Sequence, residues 1–138
     1  MKRLLITLLL IPLLLSACAG MRNKPAPLAA PANPQALPDI TGDYALNGTD
    51  MTDAEYGGTL HIESAGESTY ALTWLLNENI LEGEAHIEGN QLLATWHNLE
   101  GTLSGTAAYT ITVAGQLDGI RLIDGVTGQN HETCYPNE

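Results

Sequence analysis

Residues 69–96, TYALTWLLNENILEGEAHIEGNQLLATW, decide the fold. Tyr70, Leu72 and Trp74 alternate with polar or small residues, Asn77-Glu78-Asn79 interrupts, and Ala85 and Ile87 alternate up to Gly89-Asn90. Leu92, Ala94 and Trp96 then resume the same period of two. Successive side chains of a strand point to opposite faces, so a two-residue apolar period marks a strand with one face in a core. Asn and Gly between such runs supply turn conformations that other residues adopt at a cost. The stretch therefore reads as three antiparallel strands joined by tight turns.

The pattern extends in both directions. Tyr44 and Leu46 alternate upstream, and Leu60 and Ile62 follow Gly57-Gly58. Downstream, a loop spans Asn98 to Gly105, Tyr109, Ile111 and Val113 alternate up to Ala114-Gly115, and Leu117 opens a further strand. Gly125 to Gly128 lead into a last strand near Glu132–Tyr135. About eight short strands with regular turn signals predict an all-β fold, a small antiparallel up-and-down barrel, with a two-sheet β-sandwich as the alternative. Closure favours the barrel because it leaves no unpaired strand edge. Gly58, Gly83, Gly105 and Gly119 fall where strands enter or bend, which suits the coiling a small barrel needs. The strands are too short and too acidic for a membrane-spanning barrel, whose outer face is apolar.

The first 17 residues, MKRLLITLLLIPLLLSA, have another character: Lys2 and Arg3, an apolar run from Leu4 to Leu15, then Ser16-Ala17. This is the basic, apolar and small-residue order of a signal peptide, and the run falls short of the roughly 20 residues that span a bilayer. Leu15-Ser16-Ala17-Cys18 resembles the lipobox of bacterial lipoproteins. The resemblance implies that Cys18 is alkylated by diacylglycerol and becomes the first residue after cleavage. Several acyl chains, at about 0.8 kcal/mol per buried methylene, then hold the protein on a membrane. Ala19 after the cysteine resembles cargo of the outer membrane. Residues 18–38, with Pro25, Pro27, Pro31, Pro34 and Pro38 among alanines, are expected to form an extended linker reaching up to about 60 Å, ahead of a domain over residues 39–138.

Gly42-x-Tyr44, Gly58-x-Leu60-x-Ile62, Tyr70-x-Leu72-x-Trp74, Gly89-Asn90-x-Leu92, Tyr109-x-Ile111 and Gly115-x-Leu117-x-Gly119 occur in that order. The progression resembles a group of short secreted bacterial β-domains of unassigned function, some of which carry a fibronectin-binding label. Members of that group often have Trp after the last Gly-x-Leu-x-Gly, where this chain has Ile120-Arg121-Leu122. The resemblance implies a secreted β-domain, and the fibronectin label is not carried over.

Charge narrows the partners. All 16 acidic residues lie between Asp39 and Glu138, a stretch with a single Lys or Arg, Arg121. Such a surface repels nucleic acid and anionic headgroups and suits a basic protein partner. Asp50, Asp53 and Glu55 form the densest oxygen-ligand group and are the one weak metal candidate, although the calcium-loop spacing is absent. His61, His86, His97 and His131 show no metal-ligand spacing, and the first two alternate out of phase with the core residues beside them. Ser104 has no base identifiable in the sequence, and Cys134, three residues after His131, reads as a small core residue. Trp74 and Trp96 read as core rather than as a ligand box. The expectation is an envelope-anchored, non-catalytic β-domain, without cofactor, that binds a protein or envelope component. The alternative is a carrier of a small apolar ligand with a lipocalin-like interior.

Overall fold

The computed structural model describes residues 26–137, so the signal segment and Cys18 lie outside the described residues. Eight strands follow one another: β1 (Gly42–Thr49), β2 (Glu55–Gly66), β3 (Thr69–Leu76), β4 (Asn79–Glu88), β5 (Gln91–Asn98), β6 (Ser104–Ile111), β7 (Leu117–Ile123) and β8 (Asn130–Pro136). Each pairs antiparallel with the next, and β1 pairs with β8 from Tyr44↔Pro136 to Thr49↔His131. The sheet is thus a closed up-and-down barrel, and the sandwich alternative falls.

The two-residue period sets the inside. Tyr44, Leu46, Leu60, Ile62, Leu72, Trp74, Leu92, Tyr109, Ile111 and Leu117 are all at most 2 % exposed and fill the interior. Bulky rings fit because glycines lie across from them. Trp96 has Gly83 as its partner on one side and Gly105 on the other. A Cβ at Gly105 would overlap the Leu122 carbonyl oxygen and stand 2.8 Å from the Trp96 ring. Close approach of neighbouring backbones, rather than turn geometry, therefore requires glycine here. Gly105→Ala is expected to cost about 1–3 kcal/mol, the usual range for overpacking, with a lower urea midpoint at unchanged slope as the readout.

The eight strands have two distinct ends. The β2–β3, β4–β5 and β6–β7 connections lie at one, and the β1–β2, β3–β4, β5–β6 and β7–β8 connections lie at the other. A strap, residues 27–41, closes the first end. Ala32 donates to the Ile111 carbonyl and Val113 to that of Ala30, each at 2.8 Å, forming a bridge between Pro31 and Thr112. Pro31 itself donates nothing, which is why proline is tolerated there. Buried Gln116 holds the strap in both directions, accepting from Ala29 N at 2.8 Å and donating to the Pro27 carbonyl at 3.0 Å. Ala32 and Ile40 are buried, Leu37 packs against the core, and Tyr44 donates its hydroxyl to the Ile40 carbonyl at 2.8 Å.

Two sequence expectations are corrected here. Residues 27–38 are not a free spacer but part of the folded body, because their backbone groups find partners on the β6–β7 turn and on Asn90. Val113, expected to continue the inward alternation of its strand, stands 60 % exposed because β6 ends at Ile111 and the chain turns there, with Gly115 N donating to the Thr112 carbonyl.

Candidate functional site

The domain's one basic residue faces inward. Arg121 on β7 donates through Nε to Glu132 Oε1 on β8 at 2.7 Å, and its side chain is 7 % exposed against 0 % for Glu132. Glu132 also accepts the Tyr56 hydroxyl at 2.6 Å and the Tyr109 hydroxyl. Tyr109 in turn accepts from Trp74 Nε1 at 3.1 Å. Trp96 Nε1 reaches the Leu122 carbonyl at 3.1 Å, and the Arg121 guanidinium lies 5.1 Å from the centre of the Trp96 ring. The result is one connected polar group inside an apolar barrel. Burial pushes the Tyr109 and Tyr56 hydroxyls well above their ordinary pKa, and the Glu132 carboxylate adds to it. Burial alone would lower the Arg121 pKa, but Glu132 and Tyr56 outweigh it and leave the guanidinium above its usual value. Asn130, which pairs with Arg121 across β7 and β8, holds the one buried side-chain oxygen among the described residues without a protein partner.

The residues singled out in the sequence are scattered by the fold. Asp50 Oδ1 accepts from Thr52 N and Oγ1 at 2.7 Å and from Ala54 N at 3.0 Å, so it organises its own loop, and these bonds lower its pKa. Among the described residues no three His, Cys, Asp or Glu side chains are arranged to hold a metal, Asp50, Asp53 and Glu55 included. Cys134 is fully buried on β8, where desolvation raises its thiol pKa well above normal and leaves it a core residue. His97 and Ser104 face each other across β5 and β6, but the Ser104 hydroxyl donates to Asp124 Oδ2 at 2.7 Å. The order of a nucleophile, base and orienting acid is not formed there.

His61 lies between two carboxylates, with Nδ1 2.6 Å from Asp43 and Nε2 3.1 Å from Glu63. These hydrogen bonds, Asp43 first, raise its pKa above the ordinary 6.5. A raised folded-state pKa stabilises fully below the unfolded value, and the contribution disappears as pH rises through the folded pKa. An NMR titration is expected to place the His61 midpoint above 6.5, and the stability gap between wild type and His61→Gln should shrink from pH 5 to pH 8.

The larger clefts among the described residues lie on the barrel's outer face, and a smaller one lies at the end opposite the strap. One of about 490 Å³ is lined by Thr73, Glu82, Glu84, Thr95 and His97. A second of about 490 Å³ lies beside Asn47, Glu55, His131 and Tyr135. A third, of about 150 Å³, joins the β3–β4 turn to the β5–β6 loop between Ile80 and Leu99, with Glu78 and Glu100 in its lining.

No family model and no curated protein matches this chain. Solved structures do. A redesigned β-barrel aligns with a TM-score of 0.62 at 11 % identity, over 72 % of this chain and 92 % of its own. The fold is a small closed β-barrel. A redesigned barrel bound to DFHBI aligns with a TM-score of 0.56 at 12 % identity, over 71 % and 94 % of the two chains. A de novo fluorescence-activating β-barrel aligns with a TM-score of 0.55 at 7 % identity, over 70 % and 93 %. At such identities the likeness carries architecture alone.

Sequence reasoning missed the Arg121–Glu132 group. The available signal was Glu132, out of place among alternating inward positions of the last strand, and Arg121, the lone cation in a stretch of 16 acids.

Proposed function

We propose that this chain is an envelope lipoprotein, anchored through Cys18, whose barrel acts by binding a basic protein rather than by catalysis. The observation that supports binding over carriage is the filled interior: Trp74, Tyr44, Tyr109 and the Arg121–Glu132 group occupy the space a carrier would leave for its ligand. The buried Cys134 and the Ser104–Asp124 pair offer no activated nucleophile. Because Arg121 is inside, the domain's surface presents carboxylates with no Lys or Arg among them. A field of one sign speeds the approach of a cationic partner, and salt screens it, with a Debye length of about 8 Å near 0.15 M.

Anchoring is tested by metabolic labelling of the full chain with a clickable fatty acid. Cys18→Ser is expected to abolish the label and leave the precursor uncleaved, and equal label in both would end the lipoprotein reading. Binding is tested by isolating the native lipoprotein at low and high salt. A basic envelope protein retained only at low salt is the expected result. The carrier reading draws support from the fold it shares with a barrel bound to DFHBI. A stoichiometric lipid extracted from the native protein would favour that reading instead.

A further inference from the structure

Most of the large apolar side chains exposed among the described residues crowd one end of the barrel. Met51, Leu99, Leu103 and Val126 are 42–59 % exposed on three of the four connections opposite the strap, and Ile80 adjoins the fourth. Only Leu28 and Val113 belong to the strap end. The β1–β2 and β7–β8 loops meet, since Met51 lies against Gly128, and the Ile80–Leu99 cleft joins the other two connections. The same four connections carry Asp50, Asp53, Glu78, Glu100 and Asp124. Single exposed apolar residues are ordinary, whereas apolar residues gathered at one end among charges of one sign mark an interaction surface.

Three occupants compete for it. A second copy of this chain would bring the same negative charge to the contact. An anionic bilayer is repelled for the same reason, and the chain also enters from the wrong side. Pro27 is bound by Gln116 at the strap end, and the nine residues from Cys18 to Ala26 reach at most about 32 Å. A lipid on Cys18 therefore holds the strap end near the membrane, on the reading of the chain as a lipoprotein. The third occupant, a cationic protein segment, matches both the charge and the apolar surface. Lys and Arg lay their methylene stems along apolar walls and leave the charged head to carboxylates, and the Ile80–Leu99 cleft between Glu78 and Glu100 offers both.

We propose that the loop end docks a segment of another protein in which Lys or Arg is flanked by apolar residues, with one cationic side chain in the Ile80–Leu99 cleft. The inference rests on the binding reading above and gives it a place and a partner chemistry. The test uses the full chain in detergent and a fluorescent peptide of alternating Leu and Lys. Leu99→Ser, and separately the pair Glu78→Gln and Glu100→Gln, are expected to weaken the peptide by about tenfold each, the scale of a hot-spot loss. Val113→Ser at the strap end is expected to leave it unchanged. Equal binding by all variants, by a Leu–Glu peptide, or a preference for phosphatidylglycerol vesicles over the Leu–Lys peptide would overturn the proposal. In cells, a photo-crosslinking residue at Leu99 is expected to capture a protein through a Lys- or Arg-bearing segment. Capture from Thr95 on the outer face alone would refute the loop end while sparing the binding reading, and capture from neither would refute both.

Discussion

Glu132→Leu, with nothing else changed, is expected to destabilise the barrel by about 3–5 kcal/mol, because it leaves Arg121 charged, buried and unpaired. The same substitution strips the Tyr56 and Tyr109 hydroxyls of their acceptor. Removing both charges together has a different cost. In Arg121→Met combined with Glu132→Leu, no isolated ion remains and the ionic part of the loss should be recovered, since apolar replacements of a whole buried pair are often neutral, while the Tyr56 and Tyr109 hydroxyls still lack their acceptor. Urea unfolding of the two variants and wild type closes the comparison. A loss below about 1 kcal/mol for Glu132→Leu would mean that the pair is solvated rather than enclosed.

Removal of the strap is the other large effect. A chain beginning at Asp39 lacks the hydrogen bonds from Ala32 and Ala29 and those accepted by Ala30, Ala32 and Pro27. At about 0.5–1.5 kcal/mol net for each bond, and with the floor of the core around Ile111 uncovered, a loss of about 3–5 kcal/mol relative to a chain beginning at Ala26 is expected. The shorter chain should still show a β-type spectrum, since all eight strands remain, with a lower thermal midpoint. Equal midpoints would show that the strap adheres without contributing.

The strands up to β6 were legible because each obeys one local rule. Leu72 and Trp74, or Leu92, Ala94 and Trp96, declare an inner face within five residues, and Gly89-Asn90 declares the turn between two of them. Closure was legible only as an argument about edges. The strap was not: alanine and proline look alike in a free spacer and in a docked one, and the side chain that decides, Gln116, lies 87 residues from Ala29. The interior polar group was hidden for a related reason. Arg121 and Glu132 are an ordinary surface pair by residue type, and only register sets both on the inward phase of β7 and β8. The loop end escaped notice because its apolar residues are spread over separate connections, with no shared period to betray a common surface.

The pairing of β1 with β8 carries a consequence for the order of events when the protein is made. Every other pairing joins neighbours across a short connection and can form as soon as those residues are free. The last joins the two ends of the sheet, and its closure entropy is repaid only when the whole ring comes together, which places it among the slow steps of folding. A chain emerging N-terminus first, from a ribosome or through a membrane channel, therefore has an open first strand until Pro136 has followed it out. Until then Tyr44 and Leu46 lack the neighbours that β8 supplies.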